Sequence, residues 1–515
     1  MKSSSLSSFL FYILYSLNIF SQAPPPAIEW QKTLGGSSGD WATSIQQTSD
    51  GGFIVAGHSN SNDGDVSGNH GSWDFWVVKL SDLGDLVWQR SFGGSENDIA
   101  NSVQETSDGG FIVAGYTLSN DGDVTGFHGD RDAWVIKLDV QGDLIWQNAL
   151  GGSLEDRAYS VQETSDGGFI VAGYSDSNDG DVSGNHGFDD MWVVKLDVLG
   201  DLAWQRSFGG SYQDLAFSVQ QTSDGGFVVA GYTTSIDGDV MGNNGFQDMW
   251  VVKLDVLGDL VWQSSLGGSF GESANSIQET SDGGFVVAGY ATSTDGDVTG
   301  FHGGQDMWVV KLDGFGDLVW QRSLGGSLID WANSIQQTSD GGIVVAGYSR
   351  SVDGDATVNN GLNDFWVVRM DVLGDLVWQR SLGGSVEDRA GSIQQTSDGG
   401  FIVAGYSFSV DGDVTGNHGG QDMWVVKLAS VNGIDDVIED HFSISPNPSN
   451  GIFYIELNEL HGASLTITEA LGKEVLSTKV HEQRTTLDLS QEPKGIYLVN
   501  VQTEQGIISR KLVLE

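Results

Sequence analysis

Residues 210–268 read GSYQDLAFSVQQTSDGGFVVAGYTTSIDGDVMGNNGFQDMWVVKLDVLGDLVWQSSLGG, and this stretch decides the fold. It contains four runs rich in β-forming residues, AFSVQQT, FVVAGY, MWVVKLD and LVWQSSLGG, and it has no helical periodicity. The turn SDGG separates the first two runs and VLGD the last two, while a polar loop of about a dozen residues joins the second to the third. Glycine in SDGG allows the positive φ that a tight hairpin needs. The stretch therefore predicts four short antiparallel strands.

The same unit recurs seven times at a constant spacing. Two sets of tryptophans repeat every 58 residues: Trp30, Trp88, Trp146, Trp204, Trp262, Trp320 and Trp378, and Trp76, Trp134, Trp192, Trp250, Trp308, Trp366 and Trp424. Runs such as FVVAGY and WVVKL are apolar on both faces, which suits a sheet packed between two neighbours. The repetition predicts an all-β, seven-bladed β-propeller over residues 28–428, with the tryptophans between the blades.

The two ends of the repeat region complement each other. Residues 28–36 read IEWQKTLGG, a fourth strand without its own first three, while residues 422–429 read DMWVVKLA, a third strand without its fourth. Pairing of the strand of Trp30 with the strand of Trp424 completes the last blade, so that the N-terminal strand closes the propeller and leaves no open edge. A linear stack of the same units is the alternative.

The repeat resembles known propeller units. Its strand order resembles that of WD repeats, and KLDVLGDLVWQ (residues 253–263) resembles the LD-x-x-G-x-x-x-W docking motif of quinoprotein and outer-membrane assembly propellers. Both resemblances imply the fold alone, and the vicinal cysteines of the quinone enzymes are missing. TSDGGF (residues 48–53) is similar to the sialidase Asp box, but of the three axial arginines that sialidases need only Arg157 and Arg389 lie at matching positions. An Asp-Gly turn is the simpler interpretation.

The composition restricts the classes of partner. Among 515 residues, Asp and Glu total 70 and Lys and Arg total 23, which gives a formal net charge of −47 at pH 7. Such a surface repels nucleic-acid phosphates and anionic lipid, and it attracts divalent cations or basic partners. Cysteine is absent, which excludes disulfides, thiolate catalysis, a cysteine-bound zinc ion and a lipoprotein anchor.

The N-terminus has the pattern of a secretory signal peptide. Lys2 and a run of serines precede the apolar residues 9–20, FLFYILYSLNIF, a stretch too short to span a bilayer comfortably. We predict a signal peptide over residues 1–21, cleaved between Ser21 and Gln22; a short membrane anchor is the alternative. No other segment of the sequence has the pattern of a transmembrane helix, so we expect none in the mature form.

The region after the repeats has a different residue pattern. A short acidic linker is predicted over residues 429–440, and residues 441–515 alternate apolar and polar residues, as in IFYIEL (452–457) and LTIT (465–468). This alternation predicts a small antiparallel β-sandwich.

Five short motifs in residues 441–515 resemble the type A sorting domain of type IX secretion cargo. They are SPNPSNGIF (445–453), LGKEV (471–475), LDLS (487–490), PKGIYLV (493–499) and RKLVLE (510–515). The resemblance implies passage through the periplasm and across the outer membrane of a Bacteroidetes-type cell, with the type IX secretion machinery as a partner. It also implies that the domain is usually removed and the cargo released or attached to surface polysaccharide. An ordinary accessory β-sandwich is the alternative.

Acidic residues recur at fixed places in the loops at one end of the predicted strands. One acid leads into the first strand and another precedes the third: Asp40, Asp98, Asp156, Asp214, Glu272, Asp330 and Asp388, and Asp74, Asp132, Asp190, Asp248, Asp306, Asp364 and Asp422. The long loop adds two in a D-G-D motif: Asp63 and Asp65, Asp121 and Asp123, Asp179 and Asp181, Asp237 and Asp239, Asp295 and Asp297, Asp353 and Asp355, Asp411 and Asp413. Together they predict a rim of carboxylates on one face.

The D-G-D aspartates are candidate calcium ligands, because Ca²⁺ prefers clustered oxygen donors and would offset the repulsion among these acids. The loops lack the D-x-D-x-D-G spacing of well-known calcium loops, and aspartates that cap turns by accepting backbone N–H bonds are the alternative. No other cofactor is expected. Histidine occupies a neighbouring loop position in five units, with asparagine in the other two, which favours a turn residue over a metal ligand: His70, His128, His186, His302 and His418, and Asn244 and Asn360.

The units are nearly uniform, which argues against an enzyme, since one substrate cannot use seven equivalent bases. No Ser-His-Asp set, phosphate loop or isolated carboxylate pair stands out. We therefore expect a non-catalytic binding or adhesion protein, secreted or held at the cell surface, whose acidic loop face contacts a glycan or a protein. A hydrolase acting on polysaccharide or peptide at the axis and a purely structural surface component are the alternatives.

Overall fold

The computed structural model describes residues 23–430, 442–445, 449, 451–457, 464–469, 473–479, 484–503 and 506–514. These residues belong to two compact units that divide after Ser430. All regular secondary structure in these ranges is β-strand, and none of these residues forms a helix able to cross a membrane. The predicted signal peptide (1–21), the cleavage-site residues Ser21 and Gln22, and all but two residues of the predicted linker (429–440) lie outside the described ranges.

The first unit consists of four-stranded antiparallel sheets repeated along the chain, which confirms the predicted all-β class and the four-stranded unit. Strand β1 (Ile28–Leu34) belongs to the last sheet. Sheets 1 to 3 are formed by β2 (Asp40–Gln47), β3 (Phe53–Ser59), β4 (Asp74–Leu80) and β5 (Leu86–Phe92); β6 (Asp98–Glu105), β7 (Phe111–Thr117), β8 (Asp132–Leu138) and β9 (Leu144–Leu150); and β10 (Asp156–Glu163), β11 (Phe169–Ser175), β12 (Asp190–Leu196) and β13 (Leu202–Phe208).

Sheets 4 to 7 repeat this order. They are formed by β14 (Asp214–Gln221), β15 (Phe227–Thr233), β16 (Asp248–Leu254) and β17 (Leu260–Leu266); β18 (Glu272–Glu279), β19 (Phe285–Ala291), β20 (Asp306–Leu312) and β21 (Leu318–Leu324); β22 (Asp330–Gln337), β23 (Ile343–Ser349), β24 (Asp364–Met370) and β25 (Leu376–Leu382); and β26 (Asp388–Gln395), β27 (Phe401–Ser407), β28 (Asp422–Leu428) and β1. We call the first strand of each sheet its inner strand, because the seven first strands line one common cavity.

The chain's first described strand completes the last sheet. Strand β1 runs antiparallel to β28, with Thr33 opposite Trp424, and Trp424 Nε1 donates to Gln31 Oε1 at 2.7 Å. Sheet 7 also packs against sheet 1, since Met423 and Val425 share a buried cluster with Phe53 and other residues of sheet 1. The first and last sheets are therefore neighbours in space.

The hydrophobic core lies between sheets. Every residue of β3 and β4 is buried, as the two-sided apolar pattern predicts. Phe75 of sheet 1 meets Trp134 of sheet 2 with ring centroids 4.6 Å apart, and Trp88 meets Phe111 edge-to-face at 5.7 Å. The predicted position of the recurrent tryptophans between sheets is thus confirmed for these pairs, and such aromatic contacts add to the stability that burial provides.

Each inner strand contains a β-bulge at the same place. On β2 the register shifts between Ala42 and Ser44, so Thr43 has no partner on β3. At the bulge the backbones of the first and second strands lie so close that only glycine fits on the second strand: a Cβ on Gly57 would lie 1.8 Å from the carbonyl oxygen of Trp41. A bulge interrupts the strand alternation, here at Thr43 and its six counterparts.

The second unit is a small antiparallel sandwich, as predicted. Its strands are β29 (Phe442–Ser445), β30 (Ile452–Leu457), β31 (Ser464–Glu469), β32 (Glu474–Lys479), β33 (Arg484–Asp488), β34 (Gly495–Thr503) and β35 (Gly506–Leu514). They form a three-stranded sheet, β29-β30-β33, and a four-stranded sheet, β32-β31-β34-β35. Phe453 of the smaller sheet and Val499 of the larger are both fully buried in one apolar cluster.

Candidate functional site

The loop that leads into each inner strand and the long loop between the second and third strands lie together at one end of the sheets. In sheet 1 these are residues 35–39 and 60–73, and we call this end of the seven sheets the loop face. Asp65 N donates to the Gly35 carbonyl oxygen at 2.9 Å, and Gly35 N donates back to Asp65 Oδ2 at 3.2 Å. The same pair of bonds fastens the two loops in all seven sheets.

The first aspartate of each D-G-D motif caps the leading loop. Asp63 Oδ1 accepts the backbone N–H of Ser37 at 2.7 Å, and the six counterparts accept the corresponding N–H at 2.7 or 2.8 Å. This bond, with one to the Ser37 side chain, holds the pKa of Asp63 below its ordinary value. The D-G-D carboxylates are thus engaged as turn chemistry predicts. Within the described residues no three or more His, Asp or Glu side chains are grouped as a metal site, and calcium binding at these loops stays a prediction.

The other two acids of each unit do not form an exposed rim. All fourteen are 0% exposed. In sheet 2, Asp98 accepts hydrogen bonds from Gly94 N at 2.8 Å, from Ser119 Oγ at 2.9 Å and from Thr117 Oγ1. Burial raises the pKa of Asp98 to about 6 in spite of these hydrogen bonds. The acid that leads into the inner strand therefore anchors the loop face from inside.

Sheet 5 shows what this buried acid does. Here Glu272 replaces aspartate, and Ala291 replaces the serine or threonine that donates from the second strand in other sheets. The longer Glu272 side chain reaches the backbone N–H groups of Thr292 and Ser293 at 3.1 and 2.9 Å. The carboxylate keeps its hydrogen bonds although its usual partner is gone, which marks the position as structural.

The aspartate that begins the third strand forms a pair with the buried acid of the next sheet. In sheet 1, Asp74 Oδ2 accepts from the backbone N–H of His70, and His70 Nδ1 lies 2.8 Å from the same oxygen. A Cβ on Gly93 would lie 2.9 Å from Asp74 Oδ1 and 2.5 Å from Asp98 Oδ2, so both carboxylates flank one glycine. Within the described residues the Oδ1 atom is buried without a hydrogen-bond partner at all seven positions: Asp74, Asp132, Asp190, Asp248, Asp306, Asp364 and Asp422.

The pKa values in these carboxylate pairs are raised. Burial, together with the neighbouring acid, raises the pKa of Asp364 to about 6, and the pKa values of Asp190 and Asp248 are likewise raised to about 6. The histidine position behaves as a turn residue, because Asn360 donates its backbone N–H to Asp364 in the same way that His70 donates to Asp74. These pairs recur sevenfold and belong to the scaffold.

The asymmetric part of the loop face lies at the ends of the inner strands. Two positions on each inner strand vary between sheets while their neighbours barely change: residues Trp41, Ile99, Arg157, Leu215, Ser273, Trp331 and Arg389, and the bulge residues Thr43, Asn101, Tyr159, Phe217, Asn275, Asn333 and Gly391. The facing position at the end of the second strand holds His58 in sheet 1 and tyrosine in the other six sheets. These residues form a cluster of aromatic and arginine side chains, which we call the aromatic cluster.

Stacked rings dominate two sides of the aromatic cluster. Trp331 stacks on Tyr290 of the preceding sheet with centroids 4.4 Å apart and planes 8° from parallel. Trp41 stacks on Tyr406 at 4.4 Å. Trp331 and Trp41 are half-buried and their indole nitrogens donate to glutamine side chains, so their orientation is fixed while part of each ring faces solvent.

Arginine occupies two other places in the aromatic cluster. The Arg157 guanidinium lies 4.6 Å from the ring centroid of Tyr116, and its Nη2 lies 2.5 Å from Glu155 Oε1. Burial would raise the pKa of Glu155, but the hydrogen bonds from Tyr174 and Arg131 and the charge of Arg157 hold it below its ordinary value. Arg389 repeats the arrangement in sheet 7, 4.5 Å from the ring centroid of Tyr348 and 2.6 Å from Glu387 Oε1.

An arc of exposed apolar side chains borders the aromatic cluster. The second residue before each inner strand is exposed and apolar in five sheets: Leu154, Tyr212, Phe270, Leu328 and Val386. The counterparts before sheets 1 and 2 are Ser38 and Glu96. Phe188 and Phe246, exposed just before the third strands of sheets 3 and 4, extend the arc. At this position the loop face is therefore apolar before sheets 3 to 7 and polar before sheets 1 and 2.

Arg157 and Arg389 stand out in the sequence, but the cluster around them does not. The sequence feature that could have indicated it is variation between the copies: residues 41 and 43 and their counterparts differ in chemical class, whereas Asp40, Ala42 and Ser44 and their counterparts are almost constant. Residues 41 and 43 share one face of the inner strand by alternation, and the tyrosine of the second strand is the cross-strand partner of position 41, as His58 is of Trp41 in sheet 1. Which residues of the neighbouring sheets they meet depends on the packing of the sheets.

Comparisons with known proteins identify the C-terminal region. A family model described as the secretion system C-terminal sorting domain matches residues 443–515. The predicted type IX sorting domain is confirmed, and with it export to the cell surface or the medium and engagement of the type IX secretion machinery.

The repeat region has distant likenesses. The chain is 29% identical over 267 residues to the regulatory protein FlaEY of Caulobacter vibrioides, a match that covers 46% of this chain and only 28% of that protein. Among solved structures it is similar to puromycin hydrolase, with a TM-score of 0.42, 12% identity, and coverage of 85% of this chain and 62% of that one. It is also similar to PorZ, a surface component of the type IX secretion system of Porphyromonas gingivalis, with a TM-score of 0.22, 10% identity, and coverage of 96% and 86%.

Proposed function

We propose that this exported chain is a non-catalytic binding protein: a closed seven-bladed propeller that captures a polypeptide partner with basic surface residues on its loop face, at the aromatic cluster. The observation that carries the proposal is that sequence variation between the seven units is concentrated on the loop face, in its loops and at residues 41 and 43 and their counterparts on the inner strands. A scaffold repeated without change supplies the frame, and the varied residues supply one asymmetric surface.

Contacts between the first and last sheets support the closed propeller. Inner strands are joined by bonds from a backbone N–H to the glutamine side chain of the preceding sheet, as from Glu105 N to Gln46 Oε1 at 2.6 Å. The same bond runs from Gln47 N in sheet 1 to Gln394 Oε1 in sheet 7 at 2.5 Å. Closure removes the two exposed sheet faces that an open stack of these two-sided apolar sheets would leave to solvent.

The chemistry of the aromatic cluster supports a protein ligand. Trp, Tyr and Arg are the residues that most often dominate the energy of protein interfaces, and here they are held rigid by stacking and by ion pairs. The neighbouring arc of Leu154, Tyr212, Phe270 and Leu328 adds exposed apolar area, which a soluble protein rarely carries without a binding role. The exposed D-G-D aspartates would steer a basic partner toward this face.

The state of the carboxylates in the aromatic cluster supports binding without catalysis. A general acid needs a pKa raised toward the working pH. Glu155 instead has a lowered pKa, and its oxygens are held by Arg131, Arg157 and Tyr174. Glu387 is held by Arg389 and Tyr406 in the same manner. These carboxylates orient the arginines.

Selection from a phage-displayed random peptide library, in parallel with a glycan array, tests the proposal on the full chain. We expect enriched peptides that combine Lys or Arg with an apolar or aromatic residue, and no retained glycan. Trp331→Ala should weaken binding of a selected peptide by about tenfold or more, because it removes one face of the stacked pair with Tyr290.

Val319→Ala is the matched control, since Val319 is an exposed apolar residue on the outer strand of the adjacent sheet 5. This control should leave peptide binding unchanged. Glycan retention that Trp331→Ala abolishes would overturn the polypeptide ligand, and an equal loss in both variants would remove the binding site from the aromatic cluster. Turnover of a polysaccharide or peptide substrate would overturn the non-catalytic assignment.

A further inference from the structure

The end of the inner strands opposite the loop face lines a cavity of about 230 Å³ that is open to solvent. Each of the seven inner strands contributes one apolar residue and the glutamine that follows it: Ile45, Gln46, Val103, Gln104, Val161, Gln162, Val219, Gln220, Ile277, Gln278, Ile335, Gln336, Ile393 and Gln394. Glutamine therefore occurs at this position in every sheet. We call these seven side chains the glutamine ring. At about 30 Å³ per water molecule, the cavity has room for several waters or for a small ion with part of its hydration.

Hydrogen bonding fixes which way each amide of the glutamine ring points. The Oε1 atom of every ring glutamine accepts the backbone N–H of the residue that follows the glutamine in the next inner strand, as Gln104 Oε1 accepts Glu163 N at 2.6 Å. The same bond occurs at the other six positions. A backbone N–H is only a donor, so the amide atom it meets must be oxygen. The NH₂ group is therefore the end left for other partners.

Within residues 23–430, the seven NH₂ groups donate a hydrogen bond to no protein acceptor, whereas many other glutamines donate from Nε2. The lining that accompanies them is apolar, Ile or Val from every sheet. The cavity thus presents a circle of N–H donors without matching acceptors.

We propose that the glutamine ring binds a small inorganic oxyanion. Neutral amide donors that line one cavity can bind an anion because each N–H···O⁻ bond is charge-assisted. Any oxygen of a compact oxyanion can accept from any of the equivalent donors, in contrast to a substrate with one reactive centre.

The negative charge of the chain opposes this site, so its immediate surroundings decide the balance. The nearest acids in sequence are Glu105, Glu163 and Glu279, each directly after a ring glutamine. Each holds the loop of the preceding sheet: Glu105 Oε2 accepts Ser49 N at 2.7 Å, and Ser49 Oγ donates to Glu105 Oε1 at 2.8 Å. Their carboxylates are committed to these exposed turns, and glutamine replaces them in the other four sheets.

Selenate is the probe for this site, because it imitates sulfate and is located by its anomalous scattering. The full chain is crystallised in selenate without other oxyanions, and selenate binding is measured in solution by titration calorimetry. We expect an anomalous peak in the glutamine ring and a single dominant binding event. Ordered water alone in the ring, with selenate at the concentration of the titration, would overturn the proposal.

Gln278→Glu is the test variant, since a carboxylate still accepts the backbone N–H of Gln337 but places a charge in the ring and removes one NH₂ donor. We expect selenate affinity to fall by about tenfold or more. Gln337→Glu is the control: it adds the same charge one residue after Gln336, the ring glutamine of sheet 6, and glutamate is native at this position in sheet 5 as Glu279. The control should change affinity by less than about threefold.

Equal losses in Gln278→Glu and Gln337→Glu would mean that selenate responds only to overall charge, and the glutamine ring would be excluded as the site. Thermal unfolding in buffer without oxyanions shows whether each variant is folded. If Gln278→Glu does not fold, Gln278→Asn, which keeps neutrality and withdraws the amide from the cavity, replaces it with the same expected loss of affinity.

Discussion

The two ends of the seven inner strands differ in how much their residues vary from sheet to sheet. At the end with the glutamine ring, each sheet contributes the same pair of residues, Ile or Val and then Gln, and each glutamine makes the same bond to the next sheet. At the loop-face end, only two residues away, the bulge residue is Thr, Asn, Tyr, Phe or Gly. One end joins the sheets to each other, and the other carries the differences between them.

This contrast indicates where constraint lies in a repeat protein. Each ring glutamine makes one of the seven equivalent bonds between sheets, so a change in one copy would break one of these bonds. The bulge residues also reach the next sheet, as Asn275 Nδ2 does with the Ala332 carbonyl oxygen, but threonine makes the same contact in sheet 1, so the residue type can change. Variation accumulates where a change disturbs no strand register.

The largest expected effect comes from pH, which acts on the loop-face end through its buried carboxylate pairs. The folded pKa of Asp98 is about 6 against an ordinary value of 3.8, so between these values the folded chain holds more protons than the unfolded chain. The free energy of unfolding should therefore fall as pH rises from about 4 to about 6, by up to roughly 2–3 kcal/mol for such a group. Chemical denaturation across this range measures the fall.

At lower pH, acids with lowered pKa values determine how the stability changes. Asp108, paired with Lys137, has a pKa lowered to about 2 by hydrogen bonds that outweigh burial, so its contribution is lost as pH drops below 3.8. We expect maximal stability near pH 4 to 5.

Asp364→Asn should stabilise the protein at pH 8 by about 1–2 kcal/mol and change little at pH 4, since it removes a charge that is buried opposite Asp388. A stability that rises steadily from pH 4 to pH 8 would contradict both statements.

A matched pair of threonine substitutions in sheet 5 tests the contrast between the two ends directly. Gln278→Thr removes the acceptor of Gln337 N, and a buried backbone N–H left without a partner costs about 1–3 kcal/mol. Asn275→Thr introduces the residue that sheet 1 carries at this position, Thr43, and should cost less than about 0.5 kcal/mol. Urea unfolding of the two variants gives the comparison, and equal costs would show that the ends are under the same constraint.

The smallest expected effect is that of calcium on the D-G-D loops. Asp63 already accepts the N–H of Ser37, and Asp65 that of Gly35, so bound calcium would compete with existing hydrogen bonds. We expect millimolar Ca²⁺ to raise the melting temperature by only about 1–3 °C, and more than Mg²⁺ does, with reversal by a chelator. A melting curve that is the same with calcium and with chelator would remove calcium as a ligand of these loops.

Much of the fold follows from the chain itself. The run FVVAGY, apolar on both faces, predicted the second strand, which is buried except for its tyrosine, and SDGG predicted the hairpin, with Gly51 at a φ of 88°. The motifs of the last 75 residues or so predicted the sorting domain through resemblance. Alternation such as that of residues 452–457 predicted its sandwich, because period-2 burial is a local property of a strand.

The candidate site was harder to predict because its parts are distant in the chain. Trp41 and Tyr406 stack although they belong to the first and last sheets, and the fourteen buried acids were expected on an exposed rim. A count of aspartates does not distinguish a carboxylate at the surface from one that anchors a loop from inside. That distinction depends on serine and threonine hydroxyls at the end of the second strand and in the loop after it, such as Ser61 Oγ, which donates to Asp40 Oδ2 at 2.9 Å.

The amino-acid sequence by itself determined the four-stranded unit, its repetition and the export of the protein, because these depend on local periodicity and on motifs read along the chain. Only the tertiary structure decided which residues meet. Glutamine bonds that run from sheet to sheet bring together residues 59 or 347 positions apart. Such contacts arise from the packing of sheets against each other; the order of residues within one unit predicts that both faces of a sheet are packed, but not which residues meet.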